Sequence, residues 1–200
     1  MDIRFSGFGG QGIIKAGSLI GKAASLFDGK YATLNQSFGP EARGGACAAQ
    51  IILKETPVLY PYIVKPDILV TMSQEAYEKF LDEPNPGAIL LTDSDLVKPH
   101  KIRKDLQMYS IPATRIAEKM GNRIFSNVVM VGFFTAITNA VTAKAVKKAL
   151  PGSVPDRFVD KNIVAFQHGF DFGKELLKKD KPPTKKQTRK KKETLGKTPH

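Results

Sequence analysis

The segment Ile3-Arg4-Phe5-Ser6, the turn Gly7-Phe8-Gly9-Gly10-Gln11-Gly12 and the apolar run that starts at Ile13 narrow the possible folds more than anything else in the chain. Ile3 to Ser6 is apolar enough for a buried strand. Ile13, Ala16, Ile20, Ala23, Ala24 and Phe27 recur near helical spacing, which predicts a helix from Ile13 to Leu26 that stops at Asp28-Gly29. Glycines between a strand and a helix permit a tight turn and let backbone N–H groups approach a ligand closely. The helix start adds unpaired N–H donors and the positive end of its dipole, a setting for an anionic group. Gln11 contributes a neutral amide, and Lys15, one turn in, a charge.

The rest of the chain alternates strand and helix signals. Tyr31 to Gln36 and Ala46 to Leu53 read as strands around the glycine-bearing loop Ser37 to Gly45. The strand–turn–helix–strand start predicts a parallel element. Ile68 to Met72 is a buried strand, and Ser73 is a fitting N-cap for a helix from Gln74 to Leu81. Pro84 to Gly87 is a turn. Strands follow at Ala88 to Thr92 and Met108 to Ile111, and Pro112-Ala113-Thr114 starts a helix through Lys119. Asn127 to Val141 is an apolar helix, Lys144 to Leu150 its continuation or a separate helix, and Val154 to Lys178 a last helix. This order predicts one three-layer α/β/α domain over residues 1–178, Rossmann-like, with a mostly parallel sheet.

Charge is distributed unevenly. Of the net +12, residues 178–200 carry +8, from ten basic and two acidic groups, and residues 1–177 only +4. Residues 179–200 are nearly devoid of apolar side chains and are expected to be a disordered basic tail. The modest charge of the body disfavours nucleic-acid binding by the domain. No stretch approaches the roughly 20 unbroken apolar residues of a membrane span, and the N-terminus has no signal-peptide pattern, which together predict a cytoplasmic protein. One cysteine, Cys47, cannot by itself hold an iron–sulfur cluster or a zinc ion, and reads as a small buried apolar residue. His100, His168 and His200 have no metal-ligand spacing. His168, near Phe166 and Phe170, reads as helix packing at an interface, Asp93-Ser94-Asp95 as a cap or turn cluster, Tyr60-Pro61-Tyr62 as a packed surface or subunit contact, and Val128 to Phe134 mostly as core.

Gly7-x-Gly9-x-x-Gly12 has the letters and setting of a dinucleotide fingerprint. An NAD site usually adds an acidic residue at the end of the second strand, about 20 positions on, for the ribose hydroxyls. Here that strand ends Leu34-Asn35-Gln36-Ser37, and Asp28 precedes it. A structural turn, and a phosphate-bearing ligand shared with a partner, remain as alternatives. The loop Ser37-Phe38-Gly39-Pro40-Glu41-Ala42-Arg43-Gly44-Gly45 is expected to meet the glycine turn at the carboxyl ends of the strands. Arg43 brings a cation suited to two parallel hydrogen bonds with phosphate or carboxylate, unless Glu41 is its local partner.

Three motifs in order, Phe5-Ser6-Gly7-Phe8-Gly9-Gly10-Gln11-Gly12, Gln36 to Gly45 and Ser73-Gln74-Glu75-Ala76-Tyr77, resemble the gamma subunit of 2-oxoacid:ferredoxin oxidoreductases over residues 3 to about 175. The Gly39-Pro40-Glu41-Ala42-Arg43-Gly44-Gly45 form is most similar to the 2-oxoglutarate branch. The resemblance implies a multi-subunit enzyme that decarboxylates a 2-oxoacid on thiamine diphosphate and magnesium, passes electrons through iron–sulfur clusters to ferredoxin, and forms an acyl-CoA. It implies that alpha, beta and delta-type partner subunits carry those cofactors, and that this chain has no catalytic residue and no metal ligand of its own. Carried over to this sequence, it places Gly9, Gly10, Gln11, Gly12, Arg43, Gly44 and Gly45 at a shared coenzyme A site. Two other readings stay open here: a stand-alone Rossmann-type nucleotide-binding oxidoreductase, and a nucleic-acid module acting through the tail.

Overall fold

The structure, a computed structural model, describes residues 1–38, 46–101 and 103–179. The order is β1 (Asp2–Phe8), α1 (Ile13–Phe27), β2 (Tyr31–Phe38), β3 (Ala46–Lys54), β4 (Ile68–Thr71), α2 (Gln74–Phe80), β5 (Ile89–Asp93), β6 (Gln107–Ile111), α3 (Ala113–Lys119), α4 (Ser126–Thr138), α5 (Ala143–Ala149) and α6 (Val159–Lys179). The expected elements are all present. Lys144 to Leu150 falls in a separate helix, because Asn139 takes a left-handed conformation (φ 51°) and ends α4, and Thr142 caps α5 by accepting from Ala145 N at 3.1 Å. The last helix starts later than Val154, because Pro155 leads into a single 3-10 turn, Asp156–Phe158, before α6. The expected tail lies outside the described residues from position 180 on.

The six strands form one sheet in the order β2-β3-β1-β4-β5-β6. β1, β4, β5 and β6 pair in parallel, while β3 is antiparallel to both β1 and β2. β2 thus runs in the direction of β1, as the start of the chain predicts, but β3 lies between them. The cause is the connection 39–45, which is shorter than the dozen or so residues of a parallel crossover and forces β3 back alongside β2.

The two faces are covered unequally. Alternate residues on one side, including Ile3, Phe5, Ile51, Val70, Leu91 and Ile111, join the main core with α1 and α3 to α6. On the other side Ala48, Leu69 and Leu90 pack under Ala76, Tyr77 and Phe80 of α2. Helix α4 is apolar around its whole circumference, as a fully enclosed helix requires, and Val128 to Phe134 are all buried. Among the described residues no helix is long and apolar enough to cross a membrane.

Helices α4 and α6 approach until backbone meets backbone. A Cβ added at Gly132 falls 2.9 Å from Phe170 N, and one at Gly169 falls 3.0 Å from Phe133 N. No flexible side-chain tip is there to yield. Gly132→Ala and Gly169→Ala are each expected to lose about 1–3 kcal/mol of stability by overpacking, read as a lower urea midpoint; Gly21→Ala, on α1 with open space around it, is the control expected to lose nothing.

Candidate functional site

The chain leaves β1 toward β2 and β3 on one side and later continues through β4, β5 and β6 on the other. The β1–β4 boundary is therefore the topological switch point, whose crevice lies beyond the carboxyl ends of the strands. The glycine turn sits there. Gln11 N donates to Phe8 O at 3.2 Å, closing a tight turn with Gly10 at φ 96° in its third position, where a positive φ is needed. Gly12 at φ 77° then starts α1. A Cβ at Gly7 would fall 2.7 Å from Ile13 Cδ1 and would also meet Gln11 Oε1. A Cβ at Gly12 would overlap the Asn127 amide. Gly7 and Gly12 thus have packing reasons to be glycine, whereas Gly9 and Gly10 are exposed and Gly10 has open space around its Cβ position.

The Gln11 amide does structural work. Phe8 N donates to Gln11 Oε1 at 2.7 Å, and Gln11 Nε2 donates to Met72 O, past the end of β4, at 2.8 Å. One side chain thereby ties the carboxyl ends of β1 and β4. Asn127 Nδ2 donates to Gly12 O at 3.2 Å, which fixes the start of α1 against α4. Among the described residues no side chain caps α1, and no acid lies in its first turn, so its first N–H groups keep their donor capacity toward those residues at the positive end of the helix dipole.

A cavity of about 340 Å³ opens beside this turn, lined by Gly10, Gln11, Leu96, Thr114, Arg123, Ile124 and Ser126. Arg123, 3.3 Å from Glu118, is two-thirds exposed. The motif reading missed Thr114, Arg123 and Ser126, which are far from the turn in sequence and lie in no motif of their own. Arg43, Gly44 and Gly45 lie outside the described residues. Their flanks are placed: Ala46 pairs with Phe8, and Phe38 with Cys47, so the segment 39–45 leaves and rejoins the sheet at the end where β1 delivers the glycine turn.

Beneath the cavity, fully buried Asp93 accepts from Thr114 N at 3.0 Å, Thr114 Oγ1 at 2.7 Å and Asp95 N at 3.0 Å, so it serves as the expected cap, here for the entry to α3. Burial raises its pKa, outweighing the hydrogen bonds that lower it. Asp95, paired with Arg115, is lowered chiefly by that hydrogen bond. Cys47 is 6% exposed, and burial pushes its thiol up, which fits an unreactive side chain. His168 is solvent-exposed on α6. Among the described residues no group of three or more His, Cys, Asp or Glu is arranged for a metal ion.

The geometry departs from a dinucleotide site in two respects. The strand whose end would hold the ribose acid lies next to β1 in such sites; here β2 is two strands away, at about 10 Å rather than about 5 Å. The Gln11 amide also bridges the ends of β1 and β4 at the crevice.

Comparison with known proteins identifies the class. The model of the pyruvate ferredoxin/flavodoxin oxidoreductase family matches residues 2–172, and the chain belongs to that family, in its gamma-subunit branch. It is 47% identical over 177 residues to the 2-oxoglutarate synthase subunit KorC of Methanocaldococcus jannaschii, covering 88% of this chain and 95% of that protein. The solved gamma subunit of a keto/oxoacid ferredoxin oxidoreductase from Geobacter sulfurreducens superposes with a TM-score of 0.77 at 39% identity, over 86% of this chain and 97% of that one. The 2-oxoglutarate:ferredoxin oxidoreductase of Magnetococcus marinus, solved with 2-oxoglutarate, coenzyme A and succinyl-CoA bound, gives a TM-score of 0.76 at 25% identity over 92% of this chain, but only 32% of its own longer chain.

Two outcomes are expected. Gln11→Glu keeps the acceptor for Phe8 N but sets a carboxylate against the Met72 carbonyl; it should cost about 1–3 kcal/mol by urea unfolding. The pH response of Asp93 opposes that of Asp95. Stability from Asp95, present above the unfolded value of about 3.9, is lost as pH falls through its lowered folded pKa. Asp93, with a raised folded pKa, binds its proton more readily folded than unfolded, so its contribution grows as pH falls toward about 3.9. Asp93→Asn should therefore make the acid loss of stability steeper than in the unsubstituted chain, in unfolding curves between about pH 3 and 7.

Proposed function

We propose that this chain is the gamma subunit of a cytoplasmic 2-oxoglutarate:ferredoxin oxidoreductase and that it contributes to coenzyme A binding at the glycine turn. The observation that carries the reading is the 47% identity with a KorC subunit over 95% of that subunit. The complete reaction joins 2-oxoglutarate and coenzyme A to give succinyl-CoA and carbon dioxide, with two electrons passed to ferredoxin. Thiamine diphosphate, magnesium and the iron–sulfur clusters belong to alpha, beta and delta-type partners in this reading; thiamine supplies the decarboxylation chemistry. The chain's own single cysteine is in keeping with that division.

The work of this chain is electrostatic positioning. Coenzyme A carries a diphosphate and a 3′-phosphate. The backbone of Gly9, Gly10 and Gly12 and the open start of α1 offer N–H donors to one phosphate group, and Arg43, with Gly44 and Gly45 allowing close approach, offers a bidentate cation to another. Gln11 serves the site by holding the turn in place through Phe8 and Met72. Arg123, on the rim of the same cavity, is a further cation within the site. The domain 1–178 performs this role and the lysine-rich segment 179–200 lies outside it.

The test uses the assembled enzyme. Arg43→Ala should raise the KM for coenzyme A about ten- to a hundredfold, the worth of a charge-assisted contact, with the KM for 2-oxoglutarate and the cluster content unchanged. An unchanged KM removes Arg43 from the site. The chain purified alone should show no 2-oxoglutarate- and coenzyme A-dependent dye reduction; activity without partners defeats the subunit reading.

A further inference from the structure

The connection from β3 to β4 turns an unusual set of side chains outward. Leu59, Tyr60, Tyr62 and Val64 are 93%, 62%, 57% and 75% exposed, while Ile63 between them is 7% exposed and anchored inward. From Thr56 to Val64 there is no charged residue, in a chain with 31 basic and 19 acidic groups. Four exposed apolar or aromatic side chains within six residues, with no charge among them, are the composition of an interaction surface.

The carboxyl-terminal side of the segment is also held in place. Ile63 N donates to Gln50 Oε1 of β3 at 3.4 Å, Asp67 N to Asp2 O at 2.8 Å, and Asn85 Nδ2 to Lys65 O at 3.4 Å. Pro57, Pro61 and Pro66 restrict the backbone further, and the Tyr60 and Tyr62 rings lie 5.4 Å apart. A surface ordered beforehand loses little entropy on association.

Its place in the fold separates it from the candidate site. β3 ends and β4 begins where Asp2 and Ile3 open β1, at the opposite end of the sheet from the glycine turn. A partner can cover the segment and leave the turn accessible. The longer relative indicates what that partner is. In the Magnetococcus enzyme the matching region is 32% of a single chain, so there the same domain is covalently joined to the rest of its polypeptide. A chain that performs this role as a separate polypeptide needs a permanent interface in place of the peptide link. Permanent interfaces are apolar at the centre, rich in tyrosine and poor in charge.

We propose that Leu59, Tyr60, Tyr62 and Val64 form the surface by which this chain docks permanently on the subunit of its own oxidoreductase that corresponds to the remainder of the Magnetococcus chain, against an uncharged apolar patch of that subunit. The inference rests on the subunit reading above.

The test is co-expression of the tagged full chain with the other subunits of its enzyme, comparing the unsubstituted protein with Leu59→Asp/Tyr62→Asp. The variant should melt as the unsubstituted chain does when purified alone, because both side chains face solvent, and should recover about tenfold less cluster-bearing complex, since each new carboxylate would be buried without a partner. If the aspartates lower the melting temperature, Leu59→Ser/Val64→Ser takes their place with the same expected loss of complex. Recovery equal to the unsubstituted chain overturns the docking surface while leaving the functional reading intact. A dimer of the chain alone that the substitutions dissociate also overturns it, assigning the surface to a second copy. Failure of the unsubstituted chain to join any thiamine- or cluster-bearing subunit defeats the functional reading and this surface with it.

Discussion

The amide of Gln11 is the constraint on which the carboxyl end of the sheet depends. It accepts from the last strand residue of β1 and donates to the residue after β4, so two strands that diverge toward different helices are held at one spacing. Gly7 can carry no side chain because Gln11 and Ile13 occupy that space. Gly10 must take a positive φ for the turn to close, and Gly12 must take one for α1 to start where Asn127 can bond its carbonyl. Three of the four glycines in the turn therefore serve the architecture. What is left for a ligand is the exposed backbone at Gly9 and Gly10, the open start of α1 and the adjoining cavity. A sequence with the letters of a dinucleotide fingerprint thus builds a turn whose glycines are largely accounted for by packing and backbone conformation, with a bridging amide at a position the fingerprint leaves unspecified.

The rest of the fold fixes that end in position. The helices behind the sheet are joined through Gly132 and Gly169, where the backbones of α4 and α6 touch. The first turn of α4, with Ser126 and Asn127, reaches the cavity and the start of α1. On the same side of the site, Asp93 holds the entry to α3, which brings Thr114 to the cavity wall. Its raised pKa reflects a carboxylate kept dry by that packing.

The glycine turn of the candidate site was legible in the sequence, and the reason is local. A turn between a strand and a helix is specified by residues next to each other, so Gly9 to Gly12 could be located, and the ordered motifs pointed to the family that the comparisons then identified. Thr114, Arg123 and Ser126 were not legible, because nothing near them in the chain distinguishes them from other residues at helix starts. Only the packing of α3 and α4 against the sheet brings them beside Gly10. The position of β3 was half legible: the short connection 39–45 demands an antiparallel return, but a strand–turn–helix–strand start suggests that the second strand pairs with the first.

By itself the sequence determined the periodic elements, the enclosed character of α4, the tight glycine turn and the family, because each depends on residue spacing and on residue type at fixed offsets. The tertiary structure alone decided which strand β3 separates from β1, the bridging bonds of Gln11, the cavity lining and the outward placement of Leu59, Tyr60, Tyr62 and Val64. Each of these depends on which distant segments meet. Hydrophobic patterning states that a surface is to be buried without stating against what, and a polar side chain is assigned to structure or to ligand only by the partners that folding brings within hydrogen-bond distance.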